Sequence, residues 1–302
     1  MPAIDIVVNP TSGGGRASRT LPAFTGRLIE RGWQPRVHAS ASASHLRSLI
    51  AGLRDAGADT VVVAGGDGTL HLAVQELAGS NTALAIVPIG TGDDNARTLG
   101  IPLRDPVAAA EVVCAGRIRQ VDIAHVTAGD GTERYFLGVL SAGFDSMVNE
   151  RANRMSWPRG KARYLVAILG ELRTFRPVSY RARIDEEVVQ DQAMLIAVGN
   201  GVSYGGGMKV CPAAVPDDGM LDVTWLGAVS TPTFLRAFPS VFAGTHVEKP
   251  YVTTYRAREI ALDAPGQLAY ADGERVGPLP VTIQARPGGL RVVSRVADGA
   301  AA

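Results

Sequence analysis

The segment from Val61 to Thr69 constrains this chain more than any other, because an apolar run leads directly into a glycine-rich turn. Residues 61–64 are typical of a buried strand, and Gly65-Gly66-Asp67-Gly68-Thr69 follows them. The amphipathic pattern over 70–77 then predicts a helix. A strand, a tight turn and a helix start bring backbone N–H groups to one point, which favours an anion. Asp67 would repel a bare phosphate, so the segment indicates nucleotide chemistry with Mg²⁺ or a hydroxyl between the charges.

Two more glycine-rich loops follow strand-like runs in the same half of the chain. Residues 4–8 lead into Asn9-Pro10-Thr11-Ser12-Gly13-Gly14-Gly15-Arg16, and residues 83–88 lead into Gly90-Thr91-Gly92-Asp93-Asp94-Asn95-Ala96-Arg97. Loops at the carboxyl ends of parallel strands share one edge of the sheet, where ligands bind. A plain turn is an equal alternative for Gly-Asp-Gly alone, but three such loops favour a ligand site.

The order of the predicted elements indicates two domains. Strands near 3–8, 34–39, 60–64 and 83–88 alternate with helices near 16–31, 43–56, 69–78 and 105–115, which predicts an α/β parallel sheet over residues 1–125. Short strands such as 135–140 and 193–198 predict a mainly antiparallel β-sandwich over 126–296, interrupted by helices near 143–155, 160–175 and 231–243. We expect a disordered tail over 297–302.

Composition narrows the class of protein. The 302 residues carry 30 basic and 29 acidic side chains, a balance that argues against a nucleic-acid binder. The two cysteines lie far apart and form no metal or redox spacing. No signal segment and no apolar run of about 20 residues is apparent, so we expect a cytoplasmic protein.

Motifs in both halves carry a family resemblance. The three loops are followed by Gly205-Gly206-Gly207-Met208-Lys209, by Pro216-Asp217-Asp218-Gly219-Met220-Leu221-Asp222-Val223 and by Asp272-Gly273-Glu274. With these motifs in order over nearly its whole length, the chain resembles the diacylglycerol kinase catalytic superfamily, which includes soluble bacterial lipid kinases, sphingosine kinases and ceramide kinases.

The resemblance implies a fold and an activity. The first domain would have the nucleotide-binding fold of NAD kinases and phosphofructokinases, and the second would bind the lipid. The reaction implied is transfer of the ATP γ-phosphoryl group to a lipid hydroxyl, most simply diacylglycerol to phosphatidic acid. An NAD kinase-like enzyme and a non-catalytic lipid- or nucleotide-binding regulator remain the alternatives.

The resemblance also assigns residues to roles. Those implied to contact ATP are Asn9, Pro10, Thr11, Ser12, Gly13, Ser40, Gly65, Gly66, Asp67, Gly68, Thr69 and Thr91. Asp272 resembles the general base, with Glu274 beside it, while Asp67 and Asp94 are candidates for organising Mg²⁺ or the acceptor hydroxyl. Asp218, with the carbonyls of Val215 and Met220, resembles a structural Mg²⁺ site, although an ordinary turn would also explain Asp217-Asp218-Gly219.

The chain departs from the family pattern at two places. His71-Leu72 stands where members often have Asn-Glu, and Asp93-Asp94 stands where Asn-Asp is usual. The first change removes an acid from the start of a helix, and the second adds a carboxylate near the predicted ATP site.

The expected partner is a lipid substrate at a membrane surface, reached by transient peripheral association. A basic cluster around Trp157 would suit an anionic surface, and it comprises Arg151, Arg154, Arg159, Lys161 and Arg163. A solvated helix face is the alternative for this cluster. No nucleic-acid partner is expected, and a homodimer is the candidate assembly.

Overall fold

The computed structural model describes residues 1–155, 166–167, 170 and 176–295, which divide into two compact units. The first unit comprises Met1–Ile123, Pro216–Asp218 and the chain from Arg286 onward. The second comprises Ala124–Val215 and Gly219–Ala285. The first unit therefore takes in two short segments from the second half of the sequence.

The first unit alternates strands and helices. Its strands are β1 (Ala3–Val8), β2 (Gln34–Ala39), β3 (Thr60–Gly65) and β4 (Ala83–Pro88), and β5 (Ile118–Ala128) begins in it. Its helices are α1 (Ala17–Glu30), α2 (Ala43–Asp55), α3 (Asp67–Leu77), α4 (Asp94–Thr98) and α5 (Pro106–Ala115).

The strands of the first unit pair in parallel in the order β4-β3-β1-β2. β3 and β4 are almost wholly buried, because apolar side chains point to both faces of a parallel sheet covered by helices. β2 lies at the edge, and its charged and polar side chains are largely exposed. Because β1, β3 and β4 run in the same direction, the three glycine-rich loops leave the sheet at one edge.

The second unit contains the antiparallel strands. They are β6 (Glu133–Phe136), β7 (Val139–Gly143), β8 (Val178–Ile184), β9 (Glu187–Gly199), β10 (Leu221–Gly227), β11 (Val252–Ala257), β12 (Glu259–Asp263), β13 (Leu268–Ala271), β14 (Glu274–Pro278) and the first part of β15 (Val281–Val293). The helices α6 (Phe144–Arg154) and α7 (Thr231–Ala243) pack with them.

Strand order in the second unit is β14-β13-β7-β9-β8-β12-β15, with β10 pairing β9 and β11. The long strand β9 pairs with different strands along its length: its first half pairs with β8, and its second half pairs with β7 and β10. Inward side chains form the core, where the rings of Tyr180 and Trp225 meet edge to face with centroids 6.1 Å apart.

The predicted fold class is confirmed: an α/β unit with parallel strands precedes a mainly antiparallel β unit. One predicted strand is wrong in detail, because residues 135–140 belong to two strands that are separated at Leu137 and Gly138. Most of the helix predicted over 160–175 and the whole tail predicted over 297–302 lie outside the described residues.

Candidate active site

The three glycine-rich loops of the first unit meet backbone to backbone. A Cβ on Gly66 would lie 2.9 Å from the Cα of Gly90, and one on Gly13 would lie 2.1 Å from the Ile89 carbonyl oxygen. Only glycine permits either approach, because a real side chain would overlap main-chain atoms that cannot rotate away. The loops predicted to share one edge of the sheet are thus in direct contact.

Hydroxyl groups join the first and second loops. The hydroxyls of Ser12 and Thr69 lie 3.2 Å apart, within hydrogen-bond distance. Asn9 shapes the first loop, because its side-chain oxygen accepts from the Thr11 amide at 3.1 Å and from the Thr11 hydroxyl at 2.8 Å. Four of the residues predicted to contact ATP therefore form one hydrogen-bonded group.

Asp67 is the first residue of α3 and is half-buried. Its Oδ1 accepts a hydrogen bond from the backbone amide of Asn95 at 3.2 Å, which ties the second loop to the third. Gly66 precedes the helix and offers no side-chain cap, so anions can approach the amides of the first turn closely. Gly65, Gly68 and Thr69 flank these positions.

The third loop carries two buried carboxylates. Asp93 is 6 % exposed and Asp94 5 % exposed. Asp94 Oδ1 accepts from the Arg97 guanidinium at 2.6 Å, whereas Asp93 Oδ1 accepts from the Gly90 amide at 2.8 Å. Burial raises the pKa of the Asp93 carboxyl, an effect that the Gly90 amide and nearby arginines partly offset. The extra acid in this sequence therefore has a structural role in shaping the loop.

Arg16 was not among the predicted site residues, yet it links two of the loops. Its guanidinium donates to the carbonyl of Gly13 at 3.1 Å and to that of Gly90 at 3.2 Å. Beside it a pocket of about 700 Å³ opens, lined among others by Thr20, Asp93 and Arg104. A basic residue directly after a glycine-rich turn was the only sequence signal for this contact.

Two other residues that were predicted to contact ATP differ in solvent exposure. Ser40 follows β2 and is buried, and its hydroxyl donates to the Val8 carbonyl at 3.1 Å. Thr91 is exposed at the tip of the third loop. Contact of either residue with ATP stays a prediction.

In the second unit, Asp272 occupies the turn between β13 and β14. Asp272 and Gly273 have φ of 53° and 83°, as a type I′ hairpin turn requires. The two carboxylate oxygens of Asp272 accept from backbone amides, Oδ2 from Leu137 at 3.1 Å and Oδ1 from Gly138 at 2.9 Å. These two bonds fix the orientation of the carboxylate. Glu274 begins β14 and is exposed.

An apolar pocket of about 710 Å³ lies within the second unit, and the sequence did not reveal it. It lies between α7 and strands β9 and β10, and its wall also includes Phe144 of α6, residues of the segment 204–210, and His246, Tyr251 and Val252. Aromatic side chains on α7 form much of its lining, with Phe234 stacked on Phe238 at 6.2 Å between centroids. Their four-residue spacing was the only sequence signal, and it is equally typical of an ordinary core helix.

The predicted structural Mg²⁺ ligands are divided between the units: Asp218 belongs to the first, and Val215 and Met220 to the second. In the part of the chain that the structure describes, no group of three or more His, Cys, Asp or Glu side chains could hold a metal ion. A site built from one carboxylate and two carbonyls is of a different kind and stays a prediction.

Family models match both halves of the chain. Residues 4–126 match the diacylglycerol kinase catalytic domain, and residues 138–294 match the YegS C-terminal NAD kinase beta sandwich-like domain. A diacylglycerol kinase of Mycobacterium tuberculosis is 41% identical over 292 residues, which cover 96% of this chain and 94% of that protein. One from Bacillus subtilis is 28% identical over 281 residues, covering 91% and 90%.

Solved structures agree with the fold. A diacylglycerol kinase structure from Bacillus anthracis superposes with a TM-score of 0.73 at 21% identity, covering 97% of each chain. At that identity the likeness shows the fold alone.

The chain therefore belongs to the diacylglycerol kinase catalytic family. It is a lipid kinase, and the family implies ATP as its phosphoryl donor. Among the described residues no helix is long and apolar enough to cross a membrane.

Proposed function

We propose that this lipid kinase converts diacylglycerol to phosphatidic acid, with ATP and Mg²⁺ bound by the glycine-rich loops. The apolar pocket of the second unit is the observation that carries the proposal. Its empty space, about 710 Å³ with the part open to solvent included, is bounded by walls that are almost entirely aliphatic and aromatic. A lipid can bury an acyl chain there, whereas the sugars and phosphates of NAD would lose their hydration without compensation. The pocket thus disfavours the NAD kinase alternative.

ATP binding is assigned to the first unit. The contacts among Gly66, Gly90 and Gly13 leave main-chain atoms where phosphate groups can approach, and the start of α3 favours their charge. The hydroxyls of Ser12 and Thr69 lie beside these amides as further donors. This combination suits a phosphate chain better than it suits a single small anion.

The residues fit a Mg²⁺ ion that arrives with ATP. Asp67 is half-buried at the same loop cluster, and Asp94 is buried there but already paired with Arg97. Mg²⁺ commonly uses one or two carboxylates, with phosphate oxygens and waters completing its shell, so Asp67 would hold it and Asp94 would assist. When bound, the ion neutralises charge on the phosphates. The role of Asp67 is to orient it.

Asp272 is proposed to accept the proton of the lipid hydroxyl. The amides of Leu137 and Gly138 fix its carboxylate, which is the precision that a general base needs. Glu274 lies two residues later and is exposed, so we assign it only a contribution to the local negative charge and no proton transfer. Retention of Asp67 and Asp272 disfavours a non-catalytic regulator.

Access to the substrate requires contact with a membrane surface, which we propose is transient. Of the basic cluster predicted for this role, Trp157, Arg159, Lys161 and Arg163 lie outside the described residues. The described residues add Leu235 and Phe242, which are 46% and 48% exposed on α7 beside the pocket. Apolar side chains of this size suit the lipid interface. A homodimer remains a proposal, and no nucleic-acid partner is proposed.

The test is a kinase assay with γ-labelled ATP and a panel of diacylglycerol, sphingosine, ceramide and NAD, with each product identified. We expect labelled phosphatidic acid. Label in another lipid would show that this lipid, and not diacylglycerol, is the substrate. Label in NADP would support the NAD kinase alternative, and no transfer to any acceptor would support a non-catalytic regulator.

A variant of the apolar pocket tests whether this pocket binds the lipid in the kinase reaction. Ala237 lines the pocket, and Ala243 is exposed at the end of the same helix. Ala237→Phe should fill the pocket and raise the KM for diacylglycerol by about tenfold, on the order of 1.4 kcal/mol, with the KM for ATP unchanged. Ala243→Phe is the matched control and should change neither. An unaltered lipid KM in Ala237→Phe would mean that the acyl chain binds elsewhere.

A further inference from the structure

The apolar pocket is closed at one end by residues that are almost fully buried. Thr224 and Leu226 both line it from β10, where residues two positions apart face the same side of the sheet at a distance of about 7 Å. Leu226 and its pairing partner Leu195 are half-buried, whereas Thr224 and Val210 are each 3% exposed. The pocket therefore opens on the side of Leu195 and Leu226 and ends at Val210 and Thr224.

Hydrogen bonds hold this closed end in place. The carbonyl oxygen of Val210 accepts from the Thr224 hydroxyl at 2.7 Å and from Nε2 of His246 at 3.2 Å. His246 belongs to the short 3-10 turn Thr245–Glu248 that follows α7. A carbonyl oxygen has two lone pairs, so one atom fixes both β10 and this turn. Buried networks of this kind are rigid, and the wall cannot move aside to admit a longer ligand.

The space behind the closed end is filled by other side chains. Cys211 is 1% exposed, and its thiol lies 3.7 Å from the Thr224 hydroxyl and donates to the Asp222 carbonyl at 3.4 Å. Ala197, which is fully buried, packs in the same apolar cluster as Val210. A close-packed interior does not accept even one extra methylene without strain. A chain that reaches Val210 can therefore extend no further.

We propose that Val210 and Thr224 set the longest acyl chain that the kinase accepts, because the methyl end of the chain stops against them. Up to that length the chain is held inside the pocket, and each further carbon has to displace the wall or push the lipid outward. The substrate class is then a diacylglycerol in which at least one chain is no longer than the pocket. The inference rests on the proposed function, because it assumes that the pocket holds the acyl chain of the phosphorylated lipid.

Internal competition measures this selectivity. Two diacylglycerols that differ only in the length of one chain, at either position, are mixed in the same detergent micelles with ATP, and both phosphatidic acids are quantified by mass. The product ratio equals the ratio of kcat/KM values and does not depend on how much active enzyme is present.

For wild type we expect a length limit, at which two further carbons lower the relative kcat/KM by about tenfold, the usual cost of overpacking. Relative values that stay within about twofold over the whole series would overturn the inference and leave the proposed function intact. Absence of phosphatidic acid from every mixture would instead overturn the proposed function.

Substitutions at Val210 should move the length limit in opposite directions. Val210→Ala keeps the backbone carbonyl that Thr224 and His246 bind but removes two methyl groups, so the limit should move to chains about two carbons longer. Val210→Ile adds one carbon and should move the limit to a shorter chain.

Val223→Ala is the matched control. Val223 neighbours Thr224 on β10 and is fully buried, but it belongs to the core of the second unit. This variant should lose stability and keep the wild-type limit. An unchanged limit in both Val210 variants, or the same shift in Val223→Ala as in Val210→Ala, would overturn the role of the wall.

Discussion

Gly138 donates its backbone amide to Oδ1 of Asp272 at 2.9 Å, although 134 positions separate the two residues in the chain. The neighbouring Leu137 amide binds the other oxygen of the same carboxylate. The gap between β6 and β7 and the turn between β13 and β14 are therefore held together by one acid. This acid is also the proposed base.

Asp272→Asn should lower turnover by about a hundredfold or more, the usual contribution of a general base, while ATP binding is retained. Asn tolerates the positive φ of 53° at this position but can accept only one of the two amide bonds, so stability should fall by about 1 kcal/mol. The measurements are kcat at saturating ATP and lipid, an ATP titration and a melting curve.

Asp185→Asn provides the matched control. Asp185 also has a positive φ, 49°, in a hairpin turn of the second unit, and its carboxylate accepts the amides of Arg258 and Glu259, each at 2.9 Å. Both amides bind the same oxygen, Oδ1, which the amide group of Asn can keep as an acceptor, so this variant should lose less stability than Asp272→Asn and keep normal turnover. If both variants lost turnover equally, the effect of Asp272 would be structural, and near-normal turnover in Asp272→Asn would leave Glu274 or Asp94 as the candidate base.

Asp67→Ala should reduce phosphoryl transfer below about a tenth of wild type, because a charge that organises the phosphates is worth several kcal/mol. The fold should survive, since the hydrogen bond that the Asp67 carboxylate accepts from the Asn95 amide at 3.2 Å contributes about 1 kcal/mol to stability. Asp55→Ala, an exposed acid at the end of α2, is the control and should be fully active. Substantial activity in the Asp67 variant would refute its role.

Gly13→Ala should impair ATP binding severely, because its Cβ would lie 2.1 Å from the Ile89 carbonyl oxygen. Gly15→Ala is the control that distinguishes this steric clash from backbone strain alone. Gly15 also has a positive φ, 85°, but nothing lies within 4 Å of a Cβ at that position. Gly15→Ala should cost about 1 kcal/mol of stability and leave the KM for ATP near normal. Equal KM values for the two variants would show that close packing of the first loop is unimportant.

Asp93→Asn should stabilise the protein at pH 7 and lose that advantage in acid. Burial places the pKa of the folded carboxyl above its ordinary value of 3.8. The stability that protonation contributes is therefore complete below about pH 3.8 and is lost as the pH rises through the raised pKa. Asn keeps an oxygen acceptor for the Gly90 amide without the buried charge. Melting temperatures from pH 3.5 to 7 measure the difference.

Asp5 is the comparison for this pH series, because its pKa is shifted in the opposite direction from that of Asp93. Burial alone would raise the pKa of Asp5, but hydrogen bonds from His38 and Arg36 outweigh burial and lower it. Its contribution is present above pH 3.8 and is lost as the pH falls through the lowered pKa. Asp5→Asn should therefore be destabilising at pH 7 and less so in acid. A common pH trend in both variants would contradict these assignments.

Asp218→Ala should abolish any stabilisation of the protein by Mg²⁺ and alter the KM for ATP less. Wild type is expected to melt at a higher temperature with Mg²⁺ than with a chelator, since a bound ion stabilises the folded state. Asp217→Ala is the neighbouring control, because Asp217 is paired with Arg119 at 2.6 Å. Equal melting temperatures of wild type with Mg²⁺ and with chelator would mean that no structural ion is present.

The sequence was sufficient for most elements of the first unit, because β3 and β4 are apolar runs that lead into glycine-rich loops, but it did not predict the short helix α4. Ala83–Pro88 is an example, followed two residues later by Gly90. It was insufficient at residues 135–140, where the apolar run hides the break at Leu137 and Gly138. The acid that binds their amides lies more than 130 residues away, and no local pattern encodes such a partner. The apolar pocket was missed for the same reason, since its walls come from separate segments.

The contact between Gly66 and Gly90 also limits how this nucleotide site can be re-engineered. Either glycine can be replaced only if the opposite backbone withdraws, and the first loop is locked against Ile89 in the same way. Specificity for the phosphoryl-donor nucleotide therefore cannot be transferred from a relative by exchanging one loop. A chimera would have to take all three loops from the same relative, and a library that varies Gly13, Gly66 or Gly90 alone would mostly sample proteins whose loops no longer pack together.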